Sequence, residues 1–364
     1  MPRRTSNGSM RAALAALALA LALAAPASGG SGEKLLPVKG EPPAPAENPT
    51  TPEKVELGKK LFFDRRLSGD GTMSCAVCHD PRTGFSDDQD ISQHYPTTKN
   101  WRNSPTLINV GFAKFLFHDG RASSLEEQAL FPVMSSFEMN QNLDYIEEEI
   151  REVPEYLKAF SVAFGDEDTT RQRIAMALAA FQRTLLSRNS PLDRHLGGEE
   201  GALSAEMEAG LGVFRGKGGC TECHHGVNLS DDGFHALGVP ENPRLVNDPR
   251  IAITMRFVGK VSGFENYKYL AEDPGRFLVT KDPEDWKAFK TPTLRDVSRT
   301  APYMHNGVFA TLEEVIDFYD RGGGPGNGEL EPLGLSAAEK RALRAFLEDA
   351  LTGDEIIIEY PEVP

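Results

Sequence analysis

The sequence predicts a mainly α-helical chain in two domains, and three observations carry that prediction. All four cysteines lie in two copies of one motif, Cys75-Ala-Val-Cys78-His79 and Cys220-Thr-Glu-Cys223-His224. A similar run precedes each copy: Glu56-Leu57-Gly58-Lys59-Lys60-Leu61-Phe62 and Glu208-Ala209-Gly210-Leu211-Gly212-Val213-Phe214. Strand-like runs are few, with Phe277-Leu278-Val279 and Ile356-Ile357-Ile358 the short candidates.

In chain order, Arg3, Arg4 and Arg11 precede an uninterrupted Ala/Leu run from Ala12 to Ala25, and Ala25-Pro26-Ala27 offers a small-residue cleavage site. Residues 1–27 therefore read as a cleavable secretory signal, too short for a comfortable membrane span, and the expected location is the periplasm. Residues 28–49, rich in Gly, Pro, Ala and Glu, read as a flexible lead-in. Thr51 can cap a helix with Pro52 at its first position, opening an N-terminal domain over 50–190. In each repeated run a glycine stands three and four residues before an apolar pair, the pattern of a helix packed closely on a haem. Ile174, Leu178, Phe181 and Leu185 form one stripe, expected to be core. Glu147-Glu148-Glu149 reads as a solvated helix face. Ser190-Pro191 and Gly197-Gly198 mark the crossing into a C-terminal domain over 191–364, where Ser204 can cap the helix before the second motif.

Cys-x-x-Cys-His is the attachment signature of c-type haem: two thiols add across the vinyl groups and the next imidazole binds iron. Four thiolates on one zinc, or two local disulfides, are the alternatives. Zinc does not require a histidine after each second cysteine, and its knuckles usually lie closer in sequence. Two covalent haems on two cytochrome c-like helical domains are expected. Export agrees, because thioether bonds are normally made outside the cytoplasm. The net charge of −15, about −18 once the signal is removed, argues against nucleic acid and anionic membrane as partners. It favours a basic soluble partner such as a small cytochrome.

With both motifs placed, the chain resembles the bacterial di-haem cytochrome c peroxidases and their MauG-like relatives over nearly all of its mature length. The resemblance is carried by Arg102-Asn103-Ser104-Pro105-Thr106, Asp119-Gly120-Arg121, Leu125-Glu126-Glu127-Gln128, Glu138-Met139 and Thr291-Pro292-Thr293-Leu294-Arg295. Ala301-Pro302-Tyr303-Met304-His305-Asn306-Gly307 and Thr311-Leu312-Glu313-Glu314 complete it.

That likeness implies a peroxide pocket over the first haem, in which Glu138 moves the proton between peroxide oxygens, Gln128 positions the ligand and Pro132 shapes the wall. Locally, Ser123 and Glu126 read as a capping box for the helix carrying Gln128, with Pro132 helping to stop it. His94 lies where family members carry a histidine that blocks the iron at rest; an exposed loop histidine is the competing reading. His79 and His224 are the implied proximal ligands. Tyr319 falls where peroxidases carry an axial methionine and the MauG-like branch a tyrosine; Thr311 and Glu314 cap its helix, and Leu312, Val315 and Tyr319 share a face. A phenolate would stabilise ferric or higher iron. A core tyrosine, with Met304 or His305 as ligand, is the alternative. His118 replaces the family's inter-haem tryptophan and is expected to hydrogen-bond a propionate, with Trp101 a neighbour in the fold. A bridging calcium ion would use Asn103 and the carbonyls of Thr300 and Pro302.

The implied activity is reduction of hydrogen peroxide to water with electrons from a small redox protein, a cytochrome c or a cupredoxin. The alternatives are a MauG-like oxidase of a protein or small molecule through high-valent iron, and a non-catalytic di-haem carrier. Family peroxidases are often homodimers, which the resemblance extends to this chain.

Overall fold

A computed structural model of the protein describes residues 34–96 and 98–364. The expected signal, 1–27, lies outside the described residues. The first half is built from α1 (Pro52–Phe63), α2 (Cys75–Cys78), α3 (Leu125–Met134), α4 (Leu143–Arg151), α5 (Pro154–Phe164) and α6 (Arg171–Gln182). The second contains α7 (Pro191–Leu196), α8 (Ala205–Arg215), α9 (Pro249–Val261), α10 (Phe277–Thr280), α11 (Leu312–Asp320) and α12 (Ala337–Ala345). A π-helical turn, Phe346–Ala350, continues α12. Two-residue strands β1 (Phe234–His235) and β2 (Phe289–Lys290) pair antiparallel. No helix among the described residues is long and apolar enough to cross a membrane.

Caps expected from sequence start several helices. Thr51 accepts from Lys54 N with Pro52 at the first position of α1, and Ser204 and Thr311 close capping boxes on α8 and α11. The α3 cap sits one residue later than expected: Ser124 accepts from Glu127 N, and Glu127 reaches back to Ser123 N. Glu126 is diverted to Asn48 and Arg183. Pro132 lies inside α3, which runs on to Met134. Both strand candidates fail: Phe277–Thr280 is a helical turn, and 356–358 has no regular structure, though Ile356 and Ile358 pack on the first core.

Two apolar cores organise the chain. The first gathers α1 and α3–α6, with Ile174, Leu178, Phe181 and Leu185 all buried as their spacing predicts. The second gathers α7, α8, α11, α12 and the π turn. Each fully buried Phe or Leu contributes about 1.5–3 kcal/mol. The chain ends lace across this division. Leu35 joins the second core, Leu36 N donates to Gly226 O, and Val38 N donates to Asp193, so 34–49 is docked rather than a free lead-in.

The glycines of the repeated run serve a helix contact, not the expected haem contact. A Cβ on Gly58 would meet Ala177 O of α6 at 1.9 Å; one on Gly210 would meet Ala342 O of α12 at 2.1 Å. One turn further, Phe62 packs on Phe181 with ring centroids 5.2 Å apart, and Phe214 on Phe346 at 5.1 Å. The same helix pair is thus built twice.

A second repeat, longer and less visible in sequence, runs from Ser104 to Met134 and from Thr291 to Arg321. Asn109 (φ 56) matches Asp296 (φ 54), Phe117 (φ 66) matches Met304 (φ 71), and Gly120 matches Gly307. The bridge Leu116–Ala122 recurs as Tyr303–Phe309, and the caps Ser124 and Thr311 start α3 and α11. Counting from those caps, Pro132 and Tyr319 are equivalent.

Candidate functional site

Each Cys-x-x-Cys segment forms a single tight turn, α2 in one case and a 3₁₀ turn, Cys220–Glu222, in the other. His79 Nδ1 donates to Phe85 O at 3.0 Å, and His224 Nδ1 to Leu229 O at 2.9 Å. With Nδ1 carrying the proton, Nε2 holds the lone pair that iron requires. Burial holds both imidazoles neutral, pushing His224 down to about 4. Burial also pushes the Cys75 and Cys220 thiols up to about 12. Four unpaired cysteines, two oriented imidazoles and apolar surroundings fit two c-type haems.

The residues expected in the first pocket lie on α3 and on the segment that follows it. Gln128 and Pro132, one turn apart, lie on the same face of α3, and both are half-buried. The chain then folds back, with Met139 N donating to Pro132 O at 3.2 Å and Gln141 N to Val133 O at 2.8 Å. This return places the Glu138 carboxylate close enough to the Cys78 sulfur to raise that thiol's pKa, after burial and Asp87.

His94 lies on a loop, and the residue before it packs against Cys78. Its Nδ1 donates to Tyr95 O at 3.2 Å, and Nε2 accepts from Lys99 Nζ at 3.4 Å. The preceding residue is pinned: Gln93 N donates to Asp87 Oδ2 at 2.8 Å, and Gln93 O lies 3.7 Å from Cys78 Sγ.

In the second half, α11 directs Tyr319 toward the other motif. Burial raises its pKa, with Cys220 and Cys223 as the next causes, so the phenol faces both thiols. The half-buried hydroxyl has no hydrogen bond among the described residues. His305 stacks its ring on Phe289 at 3.6 Å, and burial pushes it down to about 3.

Between the halves, Asn103 ties the repeats together. Its carbonyl accepts from His118 Nε2 at 2.9 Å, and its N–H donates to His305 O at 2.7 Å. Burial, then Arg102, push His118 down to about 4. Its Nδ1 is therefore a bare acceptor, which disfavours the expected hydrogen bond to an ionised propionate. Asn103 Nδ2 donates to Gln89 O, while Asn103 Oδ1 and the carbonyls of Thr300 and Pro302 accept nothing among the described residues.

Sequence reasoning missed a buried ion network in this seam. Arg102 binds Asp119 at 2.6 Å and Asp273 at 2.6 and 2.9 Å, and Trp101 Nε1 donates to Asp273 at 2.8 Å. The Arg102 motif was visible, but Asp273 lies far away in sequence and stands in no motif. Cys223, Asp231 and His235 also cluster with metal-like spacing. Cys223 belongs to a haem motif, however, and His235 is already bonded to Asp231 and Glu329.

Comparison with known proteins places these features in company. The family model described as di-haem cytochrome c peroxidase matches residues 52–201. The chain is 42% identical over 329 residues to cytochrome-c peroxidase IdrP1 of Pseudomonas sp. (strain SCT), covering 88% of this chain and 87% of the relative. It is 38% identical to the methylamine utilization protein MauG of Methylorubrum extorquens, covering 88% and 84%. A solved MauG-like protein associated with microbial copper homeostasis superposes with a TM-score of 0.73 at 31% identity, covering 87% of this chain and 94% of that one.

Proposed function

The chain belongs to the di-haem cytochrome c peroxidase family, and on that premise we propose that it reduces hydrogen peroxide to water with electrons from a small redox protein. The observation that carries this reading is the return of the chain at Met139 onto Pro132, with the Glu138 carboxylate near Cys78. When bound, the haems supply iron that exchanges electrons and, at the first site, a position for peroxide. Gln128 can hold the peroxide by its amide. Glu138 accepts a proton from the inner oxygen and returns it to the outer one, a role that needs a carboxylate within reach of both. Pro132 offers neither a proton nor a ligand and keeps that face open. His94, engaged by Lys99, leaves the first site free at rest, so the ferric protein should show one high-spin haem.

Replacing Glu138 with Gln tests this directly. Peroxide-driven oxidation of a reduced small cytochrome should fall about 10²–10⁴-fold, the usual share of a general acid–base group. Haem content should stay unchanged. A rate equal to the parent's would remove Glu138 from the mechanism.

One observation favours a second reading, an oxidase acting on a protein or small molecule: the phenol of Tyr319 faces Cys220 and Cys223. As an anionic ligand it would favour the oxidised metal. Peroxide reaction persisting without donor turnover would select this reading over the first. A carrier role without catalysis would leave the arrangement of Gln128 and Glu138 unused.

Calcium at Asn103 Oδ1 with the Thr300 and Pro302 carbonyls is supported by three oxygens that accept nothing among the described residues. Periplasmic export, cleavage of 1–27, two domains joined near 190 and a homodimer complete the reading.

A further inference from the structure

We propose that the outward face of α9 docks the electron donor, and that this donor carries an acidic rim around an apolar patch. The donor's role rests on the peroxidase reading above; the surface stands on its own geometry. An amphipathic helix normally turns its apolar stripe inward. In α9, Ile251 and Met255 do so, packing with Ile91 and Trp101. Yet a second apolar stripe points outward: Ile253, Phe257 and Val261, four residues apart, are 64%, 48% and 65% exposed. Seven of the fourteen large hydrophobic side chains exposed in the described structure lie between 246 and 286, so the exposure is concentrated here.

Charge identifies the occupant. Arg256 and Lys260 are exposed on the same side of α9 as the stripe, while Arg250 pairs with the N-cap Asp248 and the helix itself has no acidic residue. From 244 to 269 five basic residues face two acidic ones, in a chain of net charge −15. A second copy placed on this face by a two-fold axis would bring like charges together. Three side chains also fall well short of the roughly 800 Å² per partner of a standard stable interface. An anionic bilayer would meet the acidic remainder of the molecule. A small protein meets only the patch, and weak, electrostatically guided contact is characteristic of redox encounters. This local pattern reverses the basic partner expected from net charge.

The face also has an inward connection. Across α9, about 10 Å of helix, lies Trp101, whose indole N–H binds Asp273 in the buried network of Arg102. A donor seated on α9 therefore stands one helix away from the seam between the two repeats.

The test uses the haem-loaded protein and two probes, a reduced blue-copper protein with an acidic rim and a reduced small cytochrome with a lysine rim. Binding of each probe is measured by NMR titration at low and moderate salt, independently of turnover. The acidic-rimmed probe should bind more tightly, and binding should weaken at least tenfold as salt rises. Arg256→Glu with Lys260→Glu should weaken it at least tenfold, and Ile253→Ser with Phe257→Ser about fivefold. Peroxide consumption with a small-molecule reductant should be unchanged in both variants; loss of that activity in the parent protein would sink the peroxidase reading alone. Unaltered probe binding in both variants, or tighter binding of the lysine-rimmed probe, would overturn the docking proposal. So would a dimer that the variants dissociate, or anionic vesicles bound by the parent protein and released by the variants.

Discussion

Pro132 on α3 and Tyr319 on α11 occupy equivalent places in two copies of one backbone, and the contrast between them separates the two haem sites. The copies share their caps, their left-handed residues, their bridges and their supporting Gly–Phe helix pairs. On the first copy, a side chain that cannot coordinate stands beside a returning Glu138. On the second, the equivalent position presents a phenol. One scaffold thus carries a proline at one position and a phenol at its equivalent, on the same helix face and without a change of fold.

The largest expected effect comes from the seam that both copies share. Arg102→Leu leaves buried Asp119 and Asp273 without their common cation, and should cost about 3–5 kcal/mol by denaturant unfolding. Burial acts to raise the Asp119 pKa, but Arg102 and Arg121 more than offset it, so it is held far below the usual carboxylate range. The stabilisation is thus complete above about pH 4, the unfolded value, and is lost as pH falls below it. The gap between parent and variant should narrow in acid; a constant gap would mean that the pair does not act as an ion pair.

Tyr319→Met tests the contrast between copies. If the phenol binds iron, the second haem's potential should rise by about 0.1 V or more, since axial ligands tune haems over roughly 0.8 V. An unmoved potential in spectroelectrochemical titration would make Tyr319 a core residue and dissolve the comparison.

The helix pairs can be challenged separately. Gly58→Ala and Gly210→Ala each force a methyl against a backbone carbonyl, and each should destabilise its own half by about 1–3 kcal/mol. Hydrogen exchange should place the first loss in α1 and α6 and the second in α8 and α12; loss confined to one half in both variants would show that the pairs are not equivalent.

Smallest are the caps. Ser124→Ala and Thr311→Ala should cost about 0.5–2 kcal/mol each. Thermal unfolding that shifts for only one of them would show that the other helix start is held by tertiary contacts.

Much of this was legible from residues close together in sequence. The haem motifs, the α6 stripe and the caps at Thr51, Ser204 and Thr311 depend on groups a few positions apart, whose geometry the backbone supplies by itself. The Ser123 reading slipped by one residue because serine stands at both positions, and Arg183 and Asn48 claim Glu126 from outside the helix. The repeated glycines were visible, but their partner, a carbonyl on a distant helix, was not.

By itself the sequence determined where two haems attach and which helices carry them, because thioether chemistry and capping are short-range. Tertiary structure alone decided that Asp273 reaches Trp101 across 172 positions and that α9 turns an apolar, basic face outward. Those outcomes depend on which distant surfaces meet when the chain closes, and local preference does not encode that meeting.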